Sequence, residues 1–183
     1  NTNFTHSNIN VINGALGELS MISAGENTGK VYNASFTPTL TDTICRIDVV
    51  ADSFADQLGN TNTAAHSFYW LYDATAPTMI ITATEIPIGD GTFSSNALSV
   101  HLTFTSSEVT SSFTKEDITI TNGIIGLLSE SSSANGIGKV YSATFIPAST
   151  DTLCTVNVLA DRFTDVPGNT NTGANEFSWI YDI

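Results

Sequence analysis

One loop-and-strand pattern reads Asp161-Arg-Phe-Thr-Asp165-Val-Pro-Gly168-Asn169-Thr-Asn171 and continues into Phe177-Ser-Trp179-Ile-Tyr181-Asp182. It occurs earlier as Asp52-Ser-Phe-Ala-Asp56-Gln-Leu-Gly59-Asn60-Thr-Asn62, followed by Phe68-Tyr-Trp70-Leu-Tyr72-Asp73. Both copies join a loop rich in Asp, Asn and Gly, which favour sharp turns, to a segment whose aromatic residues fall two apart. The pattern predicts a turn that leads into a strand with one aromatic face.

The two copies belong to a longer internal repeat. A shift of 109 residues, from Phe4 to Phe113, aligns the two halves without a gap. About half of the aligned residues up to Asp73 are identical, a level that identifies a duplication. The segment from Thr75 to about Thr110 has two strand signals and no counterpart in the first copy. We therefore predict a complete domain over residues 75–183 and a domain over residues 1–74 that lacks its first two strands.

Strand signals occur throughout the chain, and no window has a convincing helical period. Leu98, Val100, Leu102 and Phe104 alternate with polar residues, as expected for a half-buried strand. Seven or so such strands in about 109 residues, with turn signals between them and a Trp near the end, are typical of an antiparallel sandwich. The predicted fold is all-β: tandem immunoglobulin-like Greek-key β-sandwiches, joined by the short, stiff segment Asp73-Ala-Thr-Ala-Pro77.

Three separated motifs resemble the bacterial Ig-like repeats of very large cell-surface adhesins. They are Thr75-Ala-Pro77, Phe113-Thr-Lys-Glu-Asp-Ile-Thr-Ile-Thr-Asn-Gly123 and Asp161-Arg-Phe-Thr-Asp165-Val-Pro-Gly168-Asn169. The resemblance extends over the whole chain. It implies the Ig-like fold and a place at the cell surface, and some such repeats bind calcium at their junctions. It specifies no single ligand, because this family varies its ligands freely.

The charge balance excludes one class of partner. With 18 acidic residues against 5 basic ones, the chain carries a formal net charge of −13, which repels nucleic acid and anionic lipid and suits divalent cations. Apolar runs are shorter than a membrane span requires, so we expect no membrane insertion. A polar surface rich in Thr, Ser and Asn suggests an extracellular location.

The sequence offers no catalytic constellation. His6, His66 and His101 do not form a ligand set, since the first two align with Lys115 and Asn175 and the third falls on the polar face of its strand. Motifs for a nucleophile with its base, for zinc and for phosphate are missing from the sequence. We therefore predict that the protein is not an enzyme.

Calcium is the better chemical hypothesis, because hard cations take carboxylate and carbonyl oxygens from loops. Strand parity brings the loop after the second strand and the loop before the last strand to one end of the complete domain. The last strand of the preceding domain ends at the same junction, so we expect a calcium ion between the domains. The candidate ligands are Asp73, Glu108, Asp161, Asp165 and Asn169. The alternative is structural, since Asp and Asn in such loops often bond their own backbone to form turns.

Two glycosylation sequons occur, at Asn3 and Asn33. Asn33 falls on the predicted solvent side of its strand, where modification is possible. Cys45 and Cys154, the only cysteines, align with each other in the two copies. We expect both to be small, buried, unpaired core residues.

Two functions of different classes fit these features. One is a structural role, in which Ig-like repeats form a stalk or fibre with neighbouring repeats or copies of the chain. The incomplete first domain would then be completed by β-strand addition. The other is a binding module for glycan or protein, which predicts exposed aromatics or an elaborated loop in one copy only. The gapless alignment favours the structural role.

Overall fold

The computed structural model describes residues 4–24, 29–86, 93–132 and 138–183. These residues belong to two compact units, Asn1–Thr75 and Ala76–Ile183. Apart from one short 3-10 turn in each unit, at His6–Asn8 and Lys115–Asp117, the regular elements are β-strands. The predicted all-β fold class is therefore confirmed.

The strands of the first unit are β1 (Ile9–Ile12), β2 (Gly14–Leu16), β3 (Ser20–Ala24), β4 (Lys30–Asn33), β5 (Phe36–Pro38), β6 (Thr43–Val49) and β7 (Phe68–Tyr72). The strands of the second unit are β8 (Met79–Ala83), β9 (Ser94–Ser95), β10 (Val100–Ser106), β11 (Ile118–Thr121), β12 (Gly123–Ile125), β13 (Ser129–Ser132), β14 (Lys139–Pro147), β15 (Thr152–Val158) and β16 (Phe177–Tyr181).

The second unit is a sandwich of two sheets. One sheet has the order β12-β14-β10-β8, with β13 also paired to β14, and the other has the order β11-β15-β16-β9. Pairing is antiparallel except between β9 and β16, which are parallel. The order corresponds to the ABED and CFG sheets of immunoglobulin domains, with β9 as an added edge beside strand G.

Alternation along each strand supplies the core of the second unit. In β10, Val100, Leu102 and Phe104 are fully buried, and the residues between them point away from the core. Trp179 of β16 meets Phe145 of β14 edge to face across the two sheets, with ring centroids 4.8 Å apart. These aromatic and aliphatic contacts hold the two sheets together.

The first unit repeats only part of this arrangement. Its pairings are β1-β6-β7, β2-β5 and β3-β4, which correspond to strands C-F-G and to the D–E region of the second unit. Among its described residues, no strand occupies the positions of β8, β9 and β10. The sequence indicated two strands in the segment that supplies these positions. The structure adds β9, which is only two residues long and has no apolar alternation.

Burial differs between the units even where the residues are identical. Phe145 and Trp179 are 0% exposed, whereas their counterparts Phe36 and Trp70 are only half-buried. Cys45 is the only hydrophobic residue that is fully buried among the described residues of the first unit. The first unit thus has the residues of a sandwich core, and none of its described strands covers them as β8, β9 and β10 do in the second unit.

The central strand of the first unit is also interrupted. In the second unit β14 runs unbroken through nine residues beside β10. The corresponding segment of the first unit forms β4 and β5, with Ala34 and Ser35 outside any strand. Its partner β3 pairs with β4 through an irregular register between Met21 and Ser23. A strand that is hydrogen-bonded to a partner on only one edge is held less firmly than a strand that is paired on both edges.

Candidate cation site in the loop before the last strand

The loop before β16 is built on the carboxylate of Asp165. Its Oδ1 accepts hydrogen bonds from the backbone N–H groups of Gly168 and Asn169, both at 2.7 Å. Its Oδ2 accepts one from Nδ2 of Asn169 at 2.8 Å. Gly168 has a φ of 104°, a conformation that L side chains rarely adopt. The spacing Asp-x-x-Gly-Asn is therefore a turn motif, as the structural alternative predicted.

The first unit contains the same turn around Asp56. Oδ1 of Asp56 accepts hydrogen bonds from the N–H groups of Leu58 and Asn60, at 2.8 and 2.9 Å, and its Oδ2 accepts one from Nδ2 of Asn60. The side-chain amide of Asn60, followed by the backbone donors, lowers the pKa of Asp56 below its usual value. The turn alone therefore supplies hydrogen-bond donors to both oxygens of this carboxylate.

A second polar residue, Asn171, fastens the loop to the strand that precedes it. Its Oδ1 accepts hydrogen bonds from the N–H groups of Arg162 and Phe163, at 2.7 and 3.0 Å. Its Nδ2 donates to the carbonyl oxygens of Leu159 and Thr172, at 2.9 and 2.7 Å. Asn171 is 2% exposed, and Asn62 makes the same four bonds in the first unit. The last Asn of each loop is thus a structural residue.

Backbone pairing brings the loop after β10 beside the loop before β16. Thr110 forms an isolated antiparallel bridge with Asp165, and the N–H of Ser111 donates to the carbonyl oxygen of Thr164 at 2.9 Å. The hydroxyl of Thr110, which is buried, bonds the hydroxyl of Tyr141. The sequence analysis did not predict a role for Thr110. In the sequence it is marked only by its position between a buried strand, β10, and Phe113.

The two loops set two carboxylates close together within the second unit. Oxygens of Glu108 and Asp165 lie within 4.8 Å of each other, although Asp165 is only 1% exposed. Like charges at this distance repel, and a divalent cation between them would offset the repulsion. The donors are hard oxygens, which suit calcium or magnesium rather than a soft metal.

The other predicted ligands have different surroundings. Asp161 is exposed and has a left-handed backbone with a φ of 59°, and its N–H donates to the carbonyl oxygen of Asn171. Asn169 turns its amide nitrogen toward Asp165. Asp73 lies at the end of the first unit, half-buried, and accepts a hydrogen bond from the N–H of Thr75 at 3.0 Å.

The other residues that the sequence singled out lie in different environments. His101 is exposed and contacts Glu85, with Nδ1 and Oε1 2.5 Å apart. Asn33 is exposed on β4, so its sequon is accessible in this structure. Asn3 lies outside the described residues. Cys45 and Cys154 are both buried and unpaired, as expected from the sequence.

The fold and its turn motifs define an immunoglobulin-like β-sandwich module. The chain belongs to the family described as bacterial Ig-like domain, which it matches over residues 1–70 and 73–180. No curated protein matches the sequence. The described residues contain no helix with the length and apolarity needed to cross a membrane. The family match identifies the chain as an Ig-like module of a kind that is typically surface-exposed.

Proposed function

We propose that the chain is a structural, non-catalytic repeat module of an extracellular stalk or fibre. The observation that carries this proposal is the gapless duplication of one Ig-like unit, in which neither copy has an added loop relative to the other over Phe4–Asp73 and Phe113–Asp182. A module that serves as a spacer needs a repeated fold and a short connection, and it needs no site that differs between copies.

β-Strand addition is the second element of this proposal. The first unit exposes inner-face aromatic side chains and has no described strand beside β4, β5 or β7 on the edges that β10 and β9 occupy in the second unit. Unpaired edges next to apolar side chains favour pairing with another strand. Completion by a neighbouring segment would join units into a continuous array.

A single observation supports the alternative, a binding module for glycan or protein. On the outer face of β6 and β7, Arg46 pairs across the strands with Tyr69, and Ile44 with Leu71. Tyr69 and Leu71 are 64% and 63% exposed, and Ser178 occupies the position of Tyr69 in the second unit. Exposed Tyr and Arg among aliphatic residues are common at interaction sites.

A binding screen separates the two roles. The 183-residue chain would be applied to a glycan array and to immobilised extracellular-matrix proteins, with Tyr69→Ser as the matched variant. The spacer role predicts no saturable binding by either protein. Saturable binding that is lost in Tyr69→Ser would overturn the spacer role and establish the binding module.

We also propose that the second unit binds calcium through Glu108 and Asp165. Asp73 is three residues before Ala76, the first residue of that unit. Because of this position in the chain, Asp73 is the third candidate ligand. Calcium usually takes six to eight oxygens, so backbone carbonyls and water would complete the coordination. The bound ion would stiffen the two loops that carry Glu108 and Asp165.

A further inference from the structure

The sheet β1-β6-β7 of the first unit has an exposed apolar patch on its outer face. We name as the outer patch the surface formed by Ile12, Ile44, Arg46, Tyr69 and Leu71. The four members other than Arg46 are between 52% and 64% exposed. The register places the five side by side, since Ile44 is opposite Leu71, and Arg46 lies between Tyr69 and Ile12. A contiguous apolar group of this kind indicates an interaction surface, whereas single exposed apolar residues do not.

The exposure of the outer patch is a property of this face of the fold. The corresponding face of the second unit, where β8, β9 and β10 are present, is open in the same way. Leu153 takes the place of Ile44 and is 48% exposed, and Thr121, in the place of Ile12, is also exposed. The edge strand β9 pairs beside β16 and so extends the sheet rather than covering its outer face.

The two copies agree in the core and differ on this face. Cys45, Trp70 and Tyr72 of the core are identical to Cys154, Trp179 and Tyr181. The five positions of the outer patch are all different in the second unit, where they are occupied by Thr121, Leu153, Thr155, Ser178 and Ile180. The aliphatic pair at the centre is kept, but the arginine, the tyrosine and one isoleucine are replaced by hydroxyl residues. The outer patch is therefore a surface with its own chemistry in the first unit.

Arg46 gives the outer patch a positive charge in a chain whose formal net charge is −13. The guanidinium is held in place by Asp48, with Nε and Oδ2 2.8 Å apart, and by Ser67, whose Oγ accepts a hydrogen bond from Nη2 at 3.1 Å. The Arg46 side chain is still 46% exposed, and further N–H donors of the guanidinium can bind a second carboxylate. Asp42, at the start of β6, is exposed as well. Ile44 is thus midway in the sequence between a negative and a positive residue.

We propose that the outer patch binds the outer patch of a second copy of this chain, face to face about a two-fold axis. The axis lies between the two sheets, perpendicular to β6, at the level of Ile44. In such an isologous contact, each residue meets the residue that is equally far beyond the axis in the second copy. Ile44 and Leu71 therefore pack against the same residues of the second copy, and Arg46 of each copy pairs with Asp42 of the other.

Charge complementarity favours a second copy over other occupants. Two chains of this net charge repel each other over most of their surfaces, whereas this arrangement forms two Arg–Asp contacts and removes aliphatic side chains from water. A glycan would engage Tyr69 and Arg46 but would offer no aliphatic surface to Ile44 and Leu71. The outer patch itself supplies an aliphatic centre with an acidic residue beside it.

The inference goes beyond the proposed spacer role, because a spacer needs no lateral partner. It adds side-by-side pairing of modules through one face of the first unit. A single contact of this size is weak. Linked modules in the proposed array would engage several such contacts at once, and their combined affinity would hold neighbouring stalks together.

A charge-exchange experiment tests the pairing. Sedimentation velocity of the 183-residue chain, from about 1 μM to about 1 mM, should show a reversible dimer. Arg46→Asp and Asp42→Lys should each raise the dissociation constant by at least about tenfold, because each sets like charges against each other. An equimolar mixture of the two variants should restore the dimer, since each substituted residue then faces an opposite charge. A variant that fails to fold could not be rescued in this way.

A matched pair of substitutions locates the contact. Ile44→Asp should abolish the dimer, whereas Leu153→Asp, at the corresponding exposed position of the second unit, should preserve it. A chain that stays monomeric over the whole concentration range, or a mixture that does not associate, would overturn the proposal. Loss of the dimer in Leu153→Asp would overturn it too, because the contact would then involve the second unit.

Failure of this proposal is distinguishable from failure of the spacer role. A monomeric chain with no saturable binding in the glycan and matrix screen removes only the lateral pairing and leaves the spacer role in place. A monomeric chain that binds a glycan or matrix protein and loses this binding in Tyr69→Ser overturns both, and it assigns the outer patch to the binding module.

Discussion

Phe36 stands edge-on to Trp70 in the first unit, with ring centroids 5.0 Å apart and ring planes inclined by 71°. The corresponding pair of the second unit has nearly the same geometry, at 4.8 Å and 76°. The aromatic contact at the centre of the sandwich is therefore formed in both units, although among the described strands only those of the second unit cover it.

This difference predicts two unfolding transitions. Apolar burial is the main favourable term in folding, and the first unit buries much less of its inner face. We expect the first unit to unfold at the lower temperature, as measured by calorimetry together with hydrogen exchange. A single transition in which both units lose protection at the same temperature would contradict this prediction.

The two central tryptophans should differ in their contribution to stability. Trp179→Ala removes a side chain that is 0% exposed and should lower the free energy of unfolding of the second unit by about 3–5 kcal/mol. Trp70→Ala should cost the first unit distinctly less, because part of that side chain already contacts water. Denaturant unfolding, followed by exchange within each unit, measures both. Equal losses would indicate that Trp70 is buried in solution.

Substitution of the buried Asn171 should lower the stability of the second unit more than substitution of an exposed residue nearby. Asn171→Ala leaves two backbone N–H groups and two carbonyl oxygens without their side-chain partner. We expect a loss of about 1–3 kcal/mol in the stability of the second unit. Asn175→Ala, at an exposed position two residues before β16, is the matched control and should be nearly neutral.

The calcium proposal predicts a change in the melting temperature of the second unit, with Glu116→Gln as the matched control for Glu108→Gln. Addition of calcium should raise the melting temperature of the second unit, and excess EDTA should reverse the rise. Glu108→Gln should remove most of the response, whereas Glu116→Gln, at an exposed acidic residue of the same unit, should preserve it. An unchanged melt in EDTA would eliminate the calcium proposal and leave the Asp165 turn as a purely structural feature.

The turn around Asp56 predicts a pH dependence of the first unit. The pKa of this carboxyl is lowered from 3.8 by the side-chain amide of Asn60 and then by backbone donors. A group whose pKa is depressed by folding stabilises the fold above its unfolded pKa, and this contribution is lost as the pH falls through the folded pKa. Asn60→Ala should move the pKa of Asp56 back toward 3.8, which NMR titration of the carboxyl carbon measures.

Much of the fold could be predicted because its signals are periodic or repeated. Alternation identified β10, and the duplication related Trp70 to Trp179 without any structural information. β9 was not predicted, since two serines paired with a neighbouring strand leave no apolar period in the sequence. The role of Thr110 depends on a bridge to Asp165, more than fifty residues away, and spacing alone does not contain that pairing.

The candidate site could be predicted only in part for a related reason. Composition identified a loop rich in oxygen donors, and strand parity associated Glu108 with Asp165. Asp and Asn are equally suited to cations and to backbone turns, so residue type alone cannot separate the two roles. The hydrogen bonds of Asp165 and Asn171 establish the turn directly, whereas a bound cation requires a measurement.

The pair of buried thiols has a practical consequence. Cys45 and Cys154 are each 0% exposed, one in each unit, and they are the only cysteines in the chain. Alkylation of either thiol requires its own unit to open, so the two labelling rates report two separate opening equilibria within one molecule. Mass spectrometry of the labelled peptides follows both rates in one sample and so reports the opening of each unit separately.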